Sequence, residues 1–357
     1  MQAYLPPHSD RPLHLGEEPT LCLKPVLQLL ESLRDHLQTR PLGAAQLAEQ
    51  WRAIAAQLAC YESAYRHDPA RRHLGETVRW QRGVWFNTEE HDSPELMEHY
   101  RVYDAHFGIM RMDAMTRSEL AHQCLSTLRR TADDLPDTLL TREHHRTLVD
   151  AFATMLSMVF PACEGERPET RVELEAMDPI SGRWRNGHHL FGLCCCMGRE
   201  SLHQAGDAIL ADHLEEACQA VGRASLFLAA STAAMVYTSD LPSFAYRNTI
   251  RPAMPEGFSG SHNSDFNHLK QLKGKLHVVA MKRWGLEPDG WPQPLVAALR
   301  HFRDTDLLDL DQHILIAAAN IGFGLSLKQH AGAQADSSAI GALRRMADAR
   351  KKDFRLG

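Results

Sequence analysis

Apolar residues recur at helical spacing along most of the chain. From Lys24 to Leu37 they follow a period near 3.6 residues, and the run at 44–66 repeats the pattern. The same spacing returns at 97–132, 141–160, 188–238, 265–284, 294–330 and 336–352. Alternation with a period of two residues is almost absent, and no repeat of fixed length appears. The pattern predicts an all-α fold.

Irregular stretches interrupt the helical pattern, one of them leading from 161 to 187. Residues 67–100 contain many turn formers and little periodicity, yet they include three large aromatic residues, so we expect a long ordered loop. The segment 238–264 is rich in proline and glycine and predicts a loop, with one helical turn near 244–250. Within 188–238 we expect two helices, broken near Gly222.

Composition excludes several classes of protein. The 357 residues carry a net charge of −6, which disfavours general binding to nucleic acid or to anionic membranes. No apolar run is long enough to span a bilayer, and no secretory signal is visible. The eight cysteines form no CxxC pair, which argues against a structural zinc site and favours the reducing cytoplasm.

The segment "LDLDQHILIAAANIGFG" places one histidine in an apolar, alanine-rich helix. His313, Ala317, Asn320 and Gly324 share one stripe of that helix. A single imidazole among small residues is what a flat, large ligand needs, and heme iron fits this description. Asp309 or Asp311 would hold the other ring nitrogen. The alternative is a core histidine bonded to a carbonyl group.

Two further segments carry candidate chemistry. Residues 251–268 place Ser259, Gly260 and Ser261 before a helix that Ser264 or Asp265 would cap, so backbone N–H groups and hydroxyls could meet a carboxylate. The segment "RNGHHLFGLCCCMGRESL" begins a helix with His188 and His189. Adjacent helical side chains diverge by about 100°, so at most one histidine faces a given site. The three cysteines that follow are expected to be packing residues, with an HHxxxxCCC metal site as the alternative.

In this order the segments resemble the histidine-ligated heme-dependent aromatic oxygenase superfamily, which includes the tryptophan and indoleamine dioxygenases. "NGHHLFGLCCCMG" is similar to their distal-face helix, "SFAYRNTIRP" to their aromatic-then-arginine segment, "GFSGSHNSDF" to their glycine/serine loop and "DLDQHILIAAANIG" to their proximal-histidine helix. The closest likeness is to saframycin-type enzymes that hydroxylate 3-methyltyrosine. The resemblance covers roughly residues 185–330 and implies an all-α heme-binding fold.

The resemblance implies roles for individual residues. His313 would be an axial ligand of the heme iron, and His188 or His189 a distal acid or base. Relatives have a cysteine that links the heme where this chain has Ala317, so non-covalent heme b is expected. Their second axial histidine would be His277, His268 or His262, of which His277 has the best spacing.

The resemblance also implies binding residues, and the helical pattern along the chain suggests a division into two regions. Tyr246, Arg247 and Arg251, with Ser259, Gly260 and Ser261, would bind substrate or heme propionate, since arginine pairs bidentately with carboxylates. Residues 1–140 would form an N-terminal helical region and 141–357 the heme-binding catalytic region, within one integrated domain.

The resemblance implies a cytoplasmic heme enzyme that hydroxylates an aromatic amino acid, a tyrosine derivative such as 3-methyltyrosine, in natural-product biosynthesis. The oxidant would be O2 or hydrogen peroxide, and a homo-oligomer is left open. The alternatives are an indole-ring-cleaving dioxygenase and a heme-binding sensor without turnover. A non-heme site in "DAILADHLEEACQ" is a third alternative, but its carboxylates and histidine lack the ExxH spacing of di-iron bundles.

Overall fold

The computed structural model describes most of the helical part of the chain. The described residues are 3–5, 23–39, 42–67, 93–111, 117–160, 177–255, 258, 262–320, 345 and 348. The main elements are β1 Ala3–Leu5, α1 Lys24–Thr39, α2 Ala44–His67, α3 Pro94–Phe107, β2 Ile109–Arg111, α4 Arg117–Asp134, α5 Arg142–Val159, α6 Ser181–Leu210, α7 Leu214–Ser239, α8 Ser264–Trp284 and α9 Gln293–Asn320. Shorter helical turns lie at Leu135–Asp137, Ser243–Ala245, Tyr246–Ile250, Arg251–Ala253 and Pro288–Gly290. The all-α prediction is confirmed.

Local signals in the sequence explain several helix boundaries. The Ser93 side chain accepts a hydrogen bond from the Leu96 backbone N–H and starts α3, with Pro94 in the first turn. Gly108 ends α3 in the left-handed conformation, at φ 65°, where a residue without a Cβ is favoured. Thr141 and His144 cap the start of α5 reciprocally.

Helices α6 and α7 pack against each other at the centre of the molecule. Side chains around the whole circumference of α6 are buried, because α3, α4, α7 and α8 all contact it. Helix α9 packs on α7, α2 packs on α4, and α1 packs on α5. The core includes side chains from both sides of residue 140, while the division into 1–140 and 141–357 stays a prediction.

Among the described residues, α7 alone has the length and apolar character of a membrane-spanning helix. Within the protein, 67% of its most apolar window is buried. That burial is typical of a core helix in a soluble protein.

Several predicted boundaries differ from the structure. Gly222 lies inside α7, and the break between α6 and α7 occurs at Asp212, which adopts a positive φ of 61°. The helix predicted at 97–132 is interrupted by β2, and α3 occupies the end of the predicted loop 67–100. Residues 68–92 of that loop lie outside the described residues.

The strands β1 and β2 were also not predicted. Their three-residue lengths are too short for a period of two to show in the sequence. They pair in parallel, with Ala3 opposite Ile109 and Leu5 opposite Arg111. Ala3 and Leu5 are fully buried, so the start of the described chain packs against the helical core.

Candidate active site

His188 is held in one tautomer and one orientation on α6. Its Nδ1 lies 2.7 Å from the carbonyl oxygen of Trp184, one helical turn earlier, so Nδ1 carries the proton and donates it. The ring stacks on Phe107 of α3 at 3.7 Å between centroids and meets the Trp184 ring at 4.5 Å. Burial lowers the pKa of His188 to about 3. The ring is therefore neutral near pH 7, and the lone pair of its Nε2 can accept a hydrogen bond.

Aromatic rings from three parts of the chain surround His188. Tyr103 of α3 lies edge-on to His188 and stacks on Phe258, with centroids 5.7 Å apart and planes 9° apart. The Trp184 ring also contacts the Tyr246 ring, with centroids 5.7 Å apart. We call Tyr103, Phe107, Trp184, Tyr246 and Phe258 the aromatic cluster. Such flat, apolar walls suit a planar aromatic ligand.

His313 uses the same anchoring device as His188. Its Nδ1 lies 2.9 Å from the carbonyl oxygen of Asp309, one turn earlier on α9, and 3.4 Å from the Asp309 carboxylate. The His313 side chain is 26% exposed. Besides burial, charge on the nearby imidazoles of His106, His189 and His313 lowers the pKa of His188, so His313 lies close enough to act on His188 electrostatically.

Tyr246 and Arg251 lie together in the turns that follow α7. Tyr246 begins a π-type turn, a geometry often found at functional sites. Burial raises the pKa of Tyr246, and a hydrogen bond from Arg251 partly offsets this effect. Arg247 is exposed, whereas Arg251 is partly buried beside Tyr246. Arg251 is therefore better placed than Arg247 to meet a ligand at the aromatic cluster.

His189 and His277 make other contacts. His189 places Nε2 2.7 Å from the Phe107 carbonyl oxygen, and burial lowers its pKa to about 4. His277 packs on Trp291 at 5.1 Å, toward the other end of α8 from Phe258. Their predicted roles stay predictions. Ser259, Gly260, Ser261 and the side chain of Ala317 lie outside the described residues.

A buried ion network fixes the start of α8 next to this site. Arg111 of β2 donates to both carboxylate oxygens of Asp104 and, from Nη1, to both oxygens of Asp265. Arg199 lies 3.6 Å from Asp265, and Cys196 donates to it at 3.1 Å. Burial raises the pKa of Asp265, but the two arginines and these hydrogen bonds lower it by more. The pKa of Asp265 therefore lies below its ordinary value.

This network also corrects the predicted helix cap. Asn263 caps α8, since its side chain accepts from the Phe266 backbone N–H at 2.8 Å. Neither Ser264 nor Asp265 is the capping residue.

Sequence reasoning missed most of the aromatic cluster. Trp184 could have been found, because it lies four residues before His188 on the same helix. Tyr103 and Phe107 reach the site from α3, and no spacing in the sequence signals that contact. The alternative site at 207–219 is exposed: Asp212 pairs with Arg283, and no group of three metal-ligating side chains occurs among the described residues.

The fold and the site define an all-α protein that offers neutral imidazole nitrogens beside stacked aromatic rings, as heme-dependent oxygenases do. A family model described as SfmD 3-methyl-L-tyrosine peroxygenase matches residues 38–288. The match covers more than half of the chain, so the protein belongs to this family. It ends before His313, which lies outside the matched residues.

Comparison with known sequences and structures adds one structure. A solved structure titled "Crystal structure of reduced SfmD by soaking with sodium hydrosulfite" is similar with 21% identity and a TM-score of 0.46, over 84% of this chain and 97% of that chain. No curated protein sequence matches.

Family membership confirms the predicted class of activity. The protein is a heme-dependent oxygenase that hydroxylates a tyrosine derivative in natural-product biosynthesis. Its substrate is an aromatic amino acid, and its oxidant is peroxide or O2.

Proposed function

We propose that this enzyme hydroxylates the ring of 3-methyltyrosine or a closely related tyrosine, using non-covalent heme b with His313 as an axial ligand. The observation that carries the proposal is the bond from His313 Nδ1 to the Asp309 carbonyl at 2.9 Å. This bond leaves Nε2 unprotonated, which is the form that ligates iron.

The residues around His313 fit such a group. Heme needs one neutral imidazole and flat apolar surroundings; the aromatic cluster supplies flat rings around His188, and His313 is close enough to lower the pKa of His188. Bound heme would activate the oxidant, since the oxygen chemistry belongs to the cofactor and the protein supplies orientation and exclusion of water. Ala317 in place of a linking cysteine supports a heme without a thioether bond.

His188 is the proposed acid and base on the reacting side. Because burial lowers its pKa to about 3, His188 is neutral near pH 7, and its Nε2 can accept a hydrogen bond from peroxide or from the substrate phenol and so orient the proton that is transferred. Phe107 and the Trp184 carbonyl keep the ring in this orientation. His189 is the weaker candidate, because its Nε2 already contacts the Phe107 carbonyl.

Arg251 and Tyr246 are the proposed substrate-binding pair. The Arg251 guanidinium can bind a carboxylate bidentately, either that of the amino acid or a propionate. Tyr246 packs on Trp184 and would contact the substrate ring. Arg247, Ser259, Gly260 and Ser261 stay as predicted binding residues.

A cytoplasmic location and a homo-oligomeric state also remain proposals. The free thiols among the described residues suit a reducing compartment.

Absorption spectra of the purified protein loaded with hemin test the ligand set. We expect His313→Ala to lose or shift the Soret band, and His313→Ala supplemented with imidazole to recover part of it. His277→Ala tests whether His277 is the second ligand of the iron. An unchanged ferric spectrum would exclude His277 as a ligand, and a changed spectrum would support it. Heme that stays with the polypeptide on acid extraction would contradict non-covalent binding.

Product mass tests the reaction. One added oxygen atom on 3-methyltyrosine is expected with peroxide or with O2 and a reductant. Two added atoms on an indole substrate would indicate ring cleavage, and heme binding without any product would indicate a sensor. His188→Ala should lower the rate of oxygen insertion while keeping the Soret band; an unchanged rate would refute the role of His188.

A further inference from the structure

Asp309 is a buried acid beside the proposed axial histidine. The residue is 1% exposed, and its carboxylate Oδ1 lies 3.4 Å from His313 Nδ1. The Thr232 hydroxyl of α7 donates to the same oxygen at 2.8 Å. Two neighbouring helices therefore fix one carboxylate oxygen next to the ring nitrogen that does not ligate.

The energetic cost of this arrangement argues for a role. Burying an ionised carboxylate is unfavourable unless hydrogen bonds and nearby positive charge compensate. Thr232 supplies one such bond, and the His313 ring, whose Nδ1 lies 3.4 Å from the same oxygen, is the nearby group that the carboxylate charge can polarise. An apolar residue at position 309 would fill the α7–α9 contact without that cost.

We propose that Asp309 is a positioning residue that sets the reduction potential of the heme by polarising His313. The inference rests on the proposed axial role of His313. A negative charge near Nδ1 increases the electron density at Nε2, as carboxylate partners of metal-bound histidines do. Greater donation stabilises ferric over ferrous iron, so the wild-type potential is lower than it would be without the carboxylate.

Substitutions at Thr232 distinguish an electrostatic effect of Asp309 from an effect of packing. Thr232→Val keeps the branched shape but removes the hydroxyl that orients Asp309, whereas Thr232→Ser keeps a hydroxyl. Asp311→Asn is the matched control for charge, because Asp311 lies two residues away on the same helix but is exposed. Water screens an exposed charge far more than a buried one.

The test is a spectroelectrochemical titration of the purified, heme-loaded full-length protein and its variants. We expect Asp309→Asn to shift the midpoint potential upward and Thr232→Val to shift it in the same direction by less. Thr232→Ser and Asp311→Asn should stay at the wild-type value. Asp309→Asn that behaves like Asp311→Asn would overturn the inference.

Two outcomes separate this inference from the proposed function. If His313→Ala loses the Soret band while Asp309→Asn leaves the potential unchanged, the axial role stands and the inference fails. If His313→Ala keeps both spectrum and potential, the axial role fails and the inference fails with it. Should Asp309→Asn not fold, Thr232→Val decides, and an unchanged potential in that variant overturns the inference.

Discussion

Gly187 lies where α6 touches Thr238 of α7, one residue before His188. A Cβ built on Gly187 would overlap the Thr238 hydroxyl and lie 2.8 Å from Thr238 Cβ and 3.1 Å from its Cα. The hydroxyl could rotate only by losing its bond to the Ala234 carbonyl, and the Cα cannot yield without moving α7. Gly187→Ala must therefore separate the two central helices or distort one of them.

The magnitude follows from a comparison with Gly222. A Cβ at Gly222, inside α7, meets nothing within 4 Å, so Gly222→Ala should stabilise the protein by about 1 kcal/mol through helix propensity. Gly187→Ala gains the same propensity but incurs overpacking, which typically costs ~1–3 kcal/mol and more where backbone must move. We expect a net loss of about 2 kcal/mol, and thus a difference of roughly 3 kcal/mol between the two variants.

Urea unfolding followed by far-UV circular dichroism measures both variants against the wild type. Thr238→Ala in the Gly187→Ala background should recover part of the loss, because it removes the overlapping hydroxyl but leaves the Cβ and Cα in place. A Gly187→Ala protein as stable as Gly222→Ala would show that the close approach of α6 and α7 is wrong.

Two further outcomes concern charge and pH. Burial lowers the pKa of His145 to about 4 and of His189 to about 4, so the unfolded chain binds more protons between about pH 6.5 and pH 4. The free energy of unfolding should reach its full value above about pH 6.5 and fall by roughly 3 kcal/mol per histidine on acidification. Urea midpoints at about pH 7 and pH 4.5 would detect this loss, and equal midpoints would contradict the burial of these rings. Arg111→Met leaves Asp265 with one fewer cation in the core and should cost ~3–5 kcal/mol in the same assay. Arg283→Met breaks an exposed pair and should cost less than about 1 kcal/mol; similar losses in the two variants would refute the argument.

The sequence predicts most helices well, because a helix that buries one apolar face repeats apolar residues with a period near 3.6. The predicted runs at 44–66, 141–160 and 265–284 agree with α2, α5 and α8 to within a few residues. Periodicity does not locate a helix boundary where two consecutive helices are buried around most of their surface. The sequence of α6 and α7 therefore forms one continuous apolar region, and glycine content wrongly placed the break between them near Gly222. The chain turns at Asp212 instead, since aspartate also tolerates positive φ.

The site was predictable only in parts that are local in sequence. Asp309 lies four residues before His313, so its position beside the ring followed from helical geometry. The sequence could not show which of His188 and His189 stacks in the aromatic cluster, because the contacts of both involve Phe107. That residue lies on α3, some 80 residues earlier in the chain. The same limit applies to Asp265, whose role as the centre of an ion network required Arg111 and Arg199 to meet it in space.

The three consecutive cysteines of α6 lie in the helix that carries His188. Cys194, Cys195 and Cys196 are at most 1% exposed, and burial raises the pKa of all three, that of Cys194 to about 12. Oxidation by peroxide proceeds through the thiolate, so these thiols stay in their unreactive protonated form. An enzyme that uses peroxide or O2 thus carries three adjacent thiols in its core in the form that resists oxidation.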